Sequence, residues 1–163
     1  MPETSALADI TMTWPVKASF VGYVKRLEDG EVSLGDGATE TEAGYLFNSP
    51  ESEVSFDLSS LAGTLPFAGK VTFSGYWGAL RVEINEPRIE LNEGKGTLSV
   101  KTGGVIGAPR WEAIAGVQVS ETADRHLSLE VRLTAAGRML LGEQYQVGQE
   151  LDPAVISFRN IGK

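Results

Sequence analysis

The feature that most constrains the fold of this chain is an alternation of apolar and polar residues with a period of two. Turn dipeptides such as Asp29-Gly30 and Gly103-Gly104 lie between apolar segments. A period of two puts every second side chain on one face, so each run predicts a half-buried strand. The apolar positions are Val71 and Phe73; Leu80, Val82 and Ile84; Ile89 and Leu91; Leu98 and Val100; Val117 and Val119; Leu127, Leu129, Val131 and Leu133; Ile156 and Phe158. The pattern predicts a mainly β chain whose antiparallel strands form a sandwich or a barrel-like sheet.

Two segments depart from this alternation and predict short helices. Between Pro15 and Leu27, apolar residues recur every three or four positions, which is typical of an amphipathic helix with the proline in its first turn. The stretch from Thr134 to about Leu141 predicts a second, shorter helix. With 163 residues and no break in composition, we predict a single mainly β domain with two short α-helices.

Composition excludes several classes of function. Fourteen Lys and Arg against 22 Asp and Glu give a net charge of -8, so nucleic acid is not an expected partner. The absence of cysteine excludes disulfides, thiolate metal sites and cysteine nucleophiles. The single histidine, His126, excludes sites with several histidine ligands, and its place in an alternating run predicts a solvent-facing side chain.

Targeting signals are also absent from the sequence. The first residues have neither a basic start nor an apolar core, and no apolar run approaches the roughly 20 residues that span a bilayer. We therefore expect no membrane insertion and, from the sequence as given, a cytoplasmic protein.

Tyrosines mark two places that are candidates for function. Ser19 and Tyr23 are four residues apart on the first predicted helix, so both project from one face. They are either a packed tyrosine with a nearby hydroxyl or a hydroxyl pair at the rim of a pocket. Tyr76 and Trp77 lie between two glycines, which predicts a tight bend that either folds a ring onto the sheet or presents it to a ligand.

Several blocks of sequence together resemble one family, the HtaA-type heme-binding domains of actinobacterial heme-uptake proteins. The opening block is similar to the family's W-G-V-K-x-S-F-x-x-Y pattern, although Pro15 replaces the usual glycine. The blocks keep the family's order along nearly the whole chain. They are residues 14–23 (WPVKASFVGY), 67–80 (FAGKVTFSGYWGAL), 87–89 (PRI) and 133–137 (LTAAG), then Tyr145, Gly148 and residues 151–153 (LDP).

The resemblance implies a domain, residues 13–160 after an extension of residues 1–12, that holds one ferric, b-type heme. By position, Tyr23 matches the family's axial tyrosine ligand and Ser19 matches a serine that supports the bound heme. Tyr76 stands where the family has a histidine that hydrogen-bonds the ligand, so it becomes a supporting or alternate oxygen. Family members are usually secreted or held at the cell surface, in contrast to the cytoplasmic location expected from the sequence as given.

Three functions follow as hypotheses. The first is reversible heme binding for transport, buffering or storage, with a heme donor or acceptor protein as a further partner. The second is a domain that has lost heme and binds a protein or a glycan through the Tyr76-Trp77 bend. The third is a peroxidase-like heme enzyme, which is less favoured because the sequence identifies no histidine or arginine to assist O–O cleavage.

Overall fold

Strands make up most of the chain. Within the described residues, 7–50, 53–102, 110–141 and 145–160, the computed structural model has thirteen strands and two α-helices. In chain order they are β1 (Leu7–Trp14), α1 (Ala18–Arg26), β2 (Glu31–Gly35), β3 (Thr39–Thr41), β4 (Gly44–Asn48), β5 (Ser55–Asp57), β6 (Ala62–Pro66), β7 (Lys70–Gly75), β8 (Leu80–Asn85), β9 (Arg88–Asn92), β10 (Lys95–Thr102), β11 (Arg110–Ala123), β12 (His126–Leu133), α2 (Ala135–Leu140) and β13 (Glu150–Asn160). The predicted mainly β fold with two short helices is therefore confirmed.

The strands form two antiparallel sheets. In the described part of the chain, the larger sheet has the order β3-β4-β1-β13-β12-β11-β10-β9-β6-β5, and the smaller has the order β2-β7-β8. One apolar core joins them in a sandwich-like arrangement. At its centre, the ring of Phe73 on β7 packs edge to face against Tyr45 on β4 and Phe20 on α1, with centroids 5.7 and 5.3 Å apart. The core thus ties both sheets to α1.

The alternation seen in the sequence corresponds to burial in the structure. On β12, the leucines and the valine of the run are buried, while His126, Glu130 and Arg132 are exposed. The prediction of a solvent-facing histidine is therefore confirmed. The turn predicted at Gly103-Gly104 lies outside the described residues.

Strand β1 lies inside the larger sheet, between β4 and β13. Its side chains at Ile10, Met12 and Trp14 are buried in the core. The strand thus runs across the expected boundary between an extension of residues 1–12 and a domain of residues 13–160. Residues 7–12 are part of the sheet.

Helix α1 forms where it was predicted, but it begins later. Pro15 does not lie in the first turn, because the buried Val16 that follows it has a left-handed backbone (φ 65°) and Lys17 is extended, so the helix begins at Ala18. The predicted apolar stripe is confirmed, since Phe20 and Val24 are buried.

The second predicted helix corresponds to α2. Its N-cap is Thr134, whose side-chain oxygen accepts a hydrogen bond of 3.1 Å from the amide of Gly137. Among the described residues, neither helix is long and apolar enough to cross a membrane.

Candidate functional site

The position of α1 is set by a contact with the far end of the chain. The amide of Ala18 donates a hydrogen bond of 2.9 Å to a carboxylate oxygen of Asp152 on β13. The backbone of Asp152 also accepts 2.8 Å from the indole nitrogen of Trp14 and donates 3.0 Å to the carbonyl of Val16. Asp152 therefore satisfies a free amide at the helix start, as a capping side chain does. This anchor fixes the face of α1 that carries Ser19 and Tyr23.

The hydroxyl oxygens of Tyr23 and Tyr76 are 2.6 Å apart, and either can donate the hydrogen bond between them. The two rings are tilted by 54°, with centroids 6.4 Å apart. The hydrogen bond with Tyr23, then partial desolvation and the charge of the neighbouring phenol, raise the pKa of the Tyr76 hydroxyl above its usual value. The raised pKa favours the neutral, protonated form of Tyr76, which can donate a hydrogen bond to Tyr23.

Tyr76 lies in a strained turn between β7 and β8. The φ angles of Tyr76, Trp77 and Gly78 are 51°, 51° and 95°, so three successive residues are left-handed. For residues with a Cβ this conformation costs roughly 1–2 kcal/mol each. In this turn Tyr76 is 46% exposed and Trp77 is 77% exposed. The predicted tight bend is confirmed, and it presents both rings at the surface.

The carboxylate of Asp29 holds this turn. One of its oxygens accepts a hydrogen bond of 2.9 Å from the amide of Tyr76, and the other accepts one from the amide of Trp77. Hydrogen bonds to a charged acceptor are stronger than bonds between neutral groups. Asp29 therefore offsets part of the strain in the turn.

A second pair of hydroxyls involves Ser19. Its hydroxyl oxygen lies 3.0 Å from the hydroxyl oxygen of Tyr145, and either can donate the hydrogen bond between them. The Nε of Arg138, on α2, donates a hydrogen bond of 3.1 Å to the carbonyl of Tyr145 and so holds this segment in place. Met139 on α2 and Val147, two residues after Tyr145, are large apolar side chains left exposed. The segments that carry Arg138 and Tyr145 thus also carry exposed apolar side chains.

The cations on and next to α1 differ in whether they form an ion pair. The Nζ of Lys25 pairs with Glu40 at 3.2 Å, beside a groove of about 320 Å³ between α1 and the hairpin of β3 and β4. Lys17 and Arg26 form no ion pair within the part of the chain that the structure describes. These two cations, one directly before α1 and one at its end, are therefore available to an anionic group of a ligand.

The structure brings two of the three predicted site residues together. Tyr23 and Tyr76 are in contact, whereas Ser19 contacts Tyr145. Two residues of this region, Asp29 and Tyr145, were missed as site residues. In the sequence, Asp29 was recognised only as part of the Asp29-Gly30 turn dipeptide. The spacing of Tyr145 gives no sign that it contacts Ser19, which lies 126 residues earlier.

The chemistry available here is that of phenol oxygens. A tyrosine oxygen beside a second hydroxyl that keeps its proton is suited to a hard metal ion such as ferric iron, because the second hydroxyl can stabilise the phenolate by donating a hydrogen bond. Across the described ranges, no group of three His, Cys, Asp or Glu side chains is placed to hold a metal ion.

Comparisons with known proteins find matches over nearly the whole chain. The model of the HtaA family matches residues 9–157. The C-terminal domain of HtaA from Corynebacterium glutamicum has a TM-score of 0.79 and 22% identity, over 96% of this chain and 99% of that domain. The N-terminal domain of the same protein has a TM-score of 0.75 and 24% identity, over 93% and 98%. The heme binding protein HtaB from Corynebacterium glutamicum has a TM-score of 0.71 and 17% identity, over 96% of each chain. Curated protein sequences give no match.

Proposed function

Because this chain belongs to the HtaA family, we propose that it binds heme and that Tyr23 is the axial ligand to the iron. One solved structure with the same fold is described as a heme binding protein. The observation that carries the proposal is the contact of 2.6 Å between the hydroxyl oxygens of Tyr23 and Tyr76. It puts a tyrosine oxygen and a hydrogen-bond donor for its phenolate at one point of the surface.

The residues at this point fit a ferric heme. A ferric iron is a hard Lewis acid, and its charge stabilises a phenolate whose pKa is ordinarily about 10. Tyr23 is half-buried and Tyr76 is exposed, so a ligand can reach the oxygens from solvent. Trp77 adds an exposed aromatic surface beside the pair, and Met139 and Val147 add apolar surface near Tyr145. Oxygen donors bordered by apolar side chains are the surroundings that a porphyrin requires.

Each side chain then has a defined part. Tyr23 gives up its hydroxyl proton and binds through oxygen. Tyr76 keeps its proton, because the raised pKa favours its neutral form, and donates a hydrogen bond to the Tyr23 oxygen. Ser19 and Tyr145 form a hydroxyl pair one helical turn away, and Ser19 supports the bound group from there. Lys17 and Arg26 neutralise the propionates.

Binding without turnover is the role we propose, in transport, buffering or storage. Tyr76 supplies a neutral donor where an imidazole would supply a group that ionises near neutral pH. Such a donor favours retention of the ligand over a proton relay. A protein that donates or accepts heme is the expected partner.

Titration of the purified protein with hemin tests the proposal. We expect a Soret band together with a charge-transfer band of the ferric phenolate type in the wild type. Both should be lost in Tyr23→Phe and kept in Tyr45→Phe, which makes the same chemical change in the core. An unchanged spectrum in Tyr23→Phe would refute the ligand assignment, and loss of the charge-transfer band in Tyr76→Phe alone would move the ligand to Tyr76.

A second function is favoured by the exposure of Trp77, which is 77% accessible to solvent. An exposed indole in a fixed turn is typical of a surface that binds a protein or a glycan. A folded wild-type protein with no Soret band at equimolar hemin would favour this function. Oxidation of a peroxidase dye faster than by free hemin would instead indicate an enzyme.

A further inference from the structure

We infer that Asp29 is the positioning residue of this site: its carboxylate holds the turn of Tyr76 and Trp77 so that the hydroxyl of Tyr76 meets that of Tyr23. The effect on heme rests on the proposed function, whereas the effect on the geometry does not.

The contacts of the carboxylate are with two successive amides. The Oδ1 of Asp29 accepts 2.9 Å from the amide of Tyr76, and Oδ2 accepts from the amide of Trp77. Both donors belong to residues with a φ of 51°, a conformation that large side chains rarely adopt without outside support. Successive backbone amides of a turn that converge on one anion are a known way of binding negative charge. The carboxylate and this backbone conformation therefore stabilise each other.

Two glycines allow Asp29 to reach the turn. A Cβ at Gly30 would lie 1.7 Å from the carbonyl oxygen of Val24, so only glycine permits the chain to turn back this closely on α1. A Cβ at Gly75 would lie 2.5 Å from Cδ1 of Leu27 and 3.8 Å from Cα of Gly30. The end of α1 therefore packs directly on the end of β7, with Asp29 at the contact.

The turn is thus held at two points by one short segment. Tyr23, on α1, meets the side chain of Tyr76, and Asp29, three residues after the end of the helix, holds the backbone of the same residue. If Asp29 is removed, the amides of the turn lose their charged acceptor and the strained conformation relaxes. The Tyr76 hydroxyl then loses its fixed position, while the core beneath it is untouched.

Nuclear Overhauser effects in the heme-free protein test the geometry. We expect cross-peaks between the ring protons of Tyr23 and Tyr76 in the wild type and their loss in Asp29→Ala. Cross-peaks between Phe20 and Phe73, whose centroids are 5.3 Å apart in the core, should persist. Glu28→Ala is the matched control, because it removes the same charge from the adjacent, exposed position.

The outcomes separate positioning from general stability. Tyrosine cross-peaks of unchanged strength in Asp29→Ala would overturn the inference. Loss of the Phe20 to Phe73 cross-peaks would also overturn it, because Asp29 would then serve the fold as a whole. A loss of equal size in Glu28→Ala would assign the effect to charge alone and would likewise overturn it. None of these results depends on heme, so a failure of the proposed function is seen separately.

Transfer of hemin to apomyoglobin tests the effect on the ligand. We expect Asp29→Ala to release hemin about tenfold faster than the wild type, as supporting groups around metal ligands typically affect affinity by 10–100-fold. Asp29→Asn keeps one acceptor oxygen and should recover part of the loss. A release rate in Asp29→Ala equal to that of Glu28→Ala and the wild type would show that Asp29 does not act on the ligand.

Discussion

The amide of Ala18, at the start of α1, donates a hydrogen bond of 2.9 Å to the carboxylate of Asp152, which lies 134 residues later on β13. The N-cap residue itself, Lys17, makes no side-chain cap. The capping group of the helix that carries Tyr23 is therefore supplied by a distant strand.

Replacement of this carboxylate should weaken the start of α1. We predict that Asp152→Ala lowers the free energy of unfolding by about 1 kcal/mol, the usual cost of a lost helix cap. Asp152→Asn should cost less, since an amide oxygen still accepts the bond but no longer brings a negative charge to the helix start. Urea unfolding followed by circular dichroism measures both. Asp124→Ala, in an exposed turn, is the control, and an equal loss there would refute the assignment to capping.

With Tyr76 beside the ligand, we expect the rate of hemin release to change little with pH between pH 5 and 8. Its pKa is raised from a value near 10, so the hydroxyl does not ionise between pH 5 and 8. We predict that Tyr76→His adds a step near pH 6.5, with faster release below it, because an imidazolium can return a proton to the ligand oxygen. Stopped-flow transfer to apomyoglobin across this range gives the profile. Identical profiles for the two proteins would contradict the prediction.

Tyr45 is predicted to control stability at alkaline pH. It is 2% exposed and its hydroxyl has no hydrogen-bond partner among the described residues. Burial, with a smaller effect from the charge of Glu40, raises the pKa of Tyr45 to about 12. The folded state thus holds this proton more tightly than the unfolded state, whose pKa is near 10. The resulting stability is complete below pH 10 and is lost as the pH rises toward 12.

Tyr45→Phe should therefore differ from the wild type in two ways. Near pH 7 it should be more stable by about 1 kcal/mol, because an unpaired buried hydroxyl is removed. Between pH 10 and 12 the free energy of unfolding of the wild type should fall by up to about 2 kcal/mol, and that of Tyr45→Phe should not show this fall. Urea unfolding at a series of pH values measures both effects. Parallel curves for the two proteins would count against a buried, protonated Tyr45.

Trp77 allows the strain in its turn to be measured. Its ring is 77% exposed and contributes little burial, whereas its backbone is left-handed. We predict that Trp77→Gly is more stable than Trp77→Ala by about 1 kcal/mol, because glycine adopts this conformation without the clash of a Cβ. Thermal unfolding of the heme-free proteins gives the comparison. Equal stability of the glycine and alanine variants would show that the turn is unstrained.

Much of the fold could be predicted because it depends on local patterns. The alternation of Leu127, Leu129, Val131 and Leu133 specifies a strand with one buried face, and β12 has that form. The apolar stripe through Phe20 and Val24 specifies a helix in the same way. The start of that helix could not be predicted, because it depends on Asp152, a residue that becomes a neighbour only when the sheet has formed.

The site depends even more on contacts that are distant in sequence. Tyr23 and Tyr76 are 53 residues apart, and no periodicity connects them. The family resemblance, rather than spacing, indicated that both belong to one site. Asp29 gave only the signal of a turn, because its role depends on left-handed amides that a sequence does not display. Ser19 was expected to support a bound heme, which stays a prediction, and its hydrogen bond with Tyr145 could not be predicted from spacing.

The position of β1 inside the large sheet, between β4 and β13, has a consequence for the order of events during synthesis. Tyr23 on α1 is synthesised well before β13, which pairs with β1 and carries Asp152, 134 residues after Ala18. A nascent chain therefore contains Tyr23 long before it contains Asp152, the residue that caps the start of α1. If Tyr23 holds heme as we propose, a chain that ends before β13 lacks the carboxylate that caps the helix of its ligand, even with every tyrosine in place.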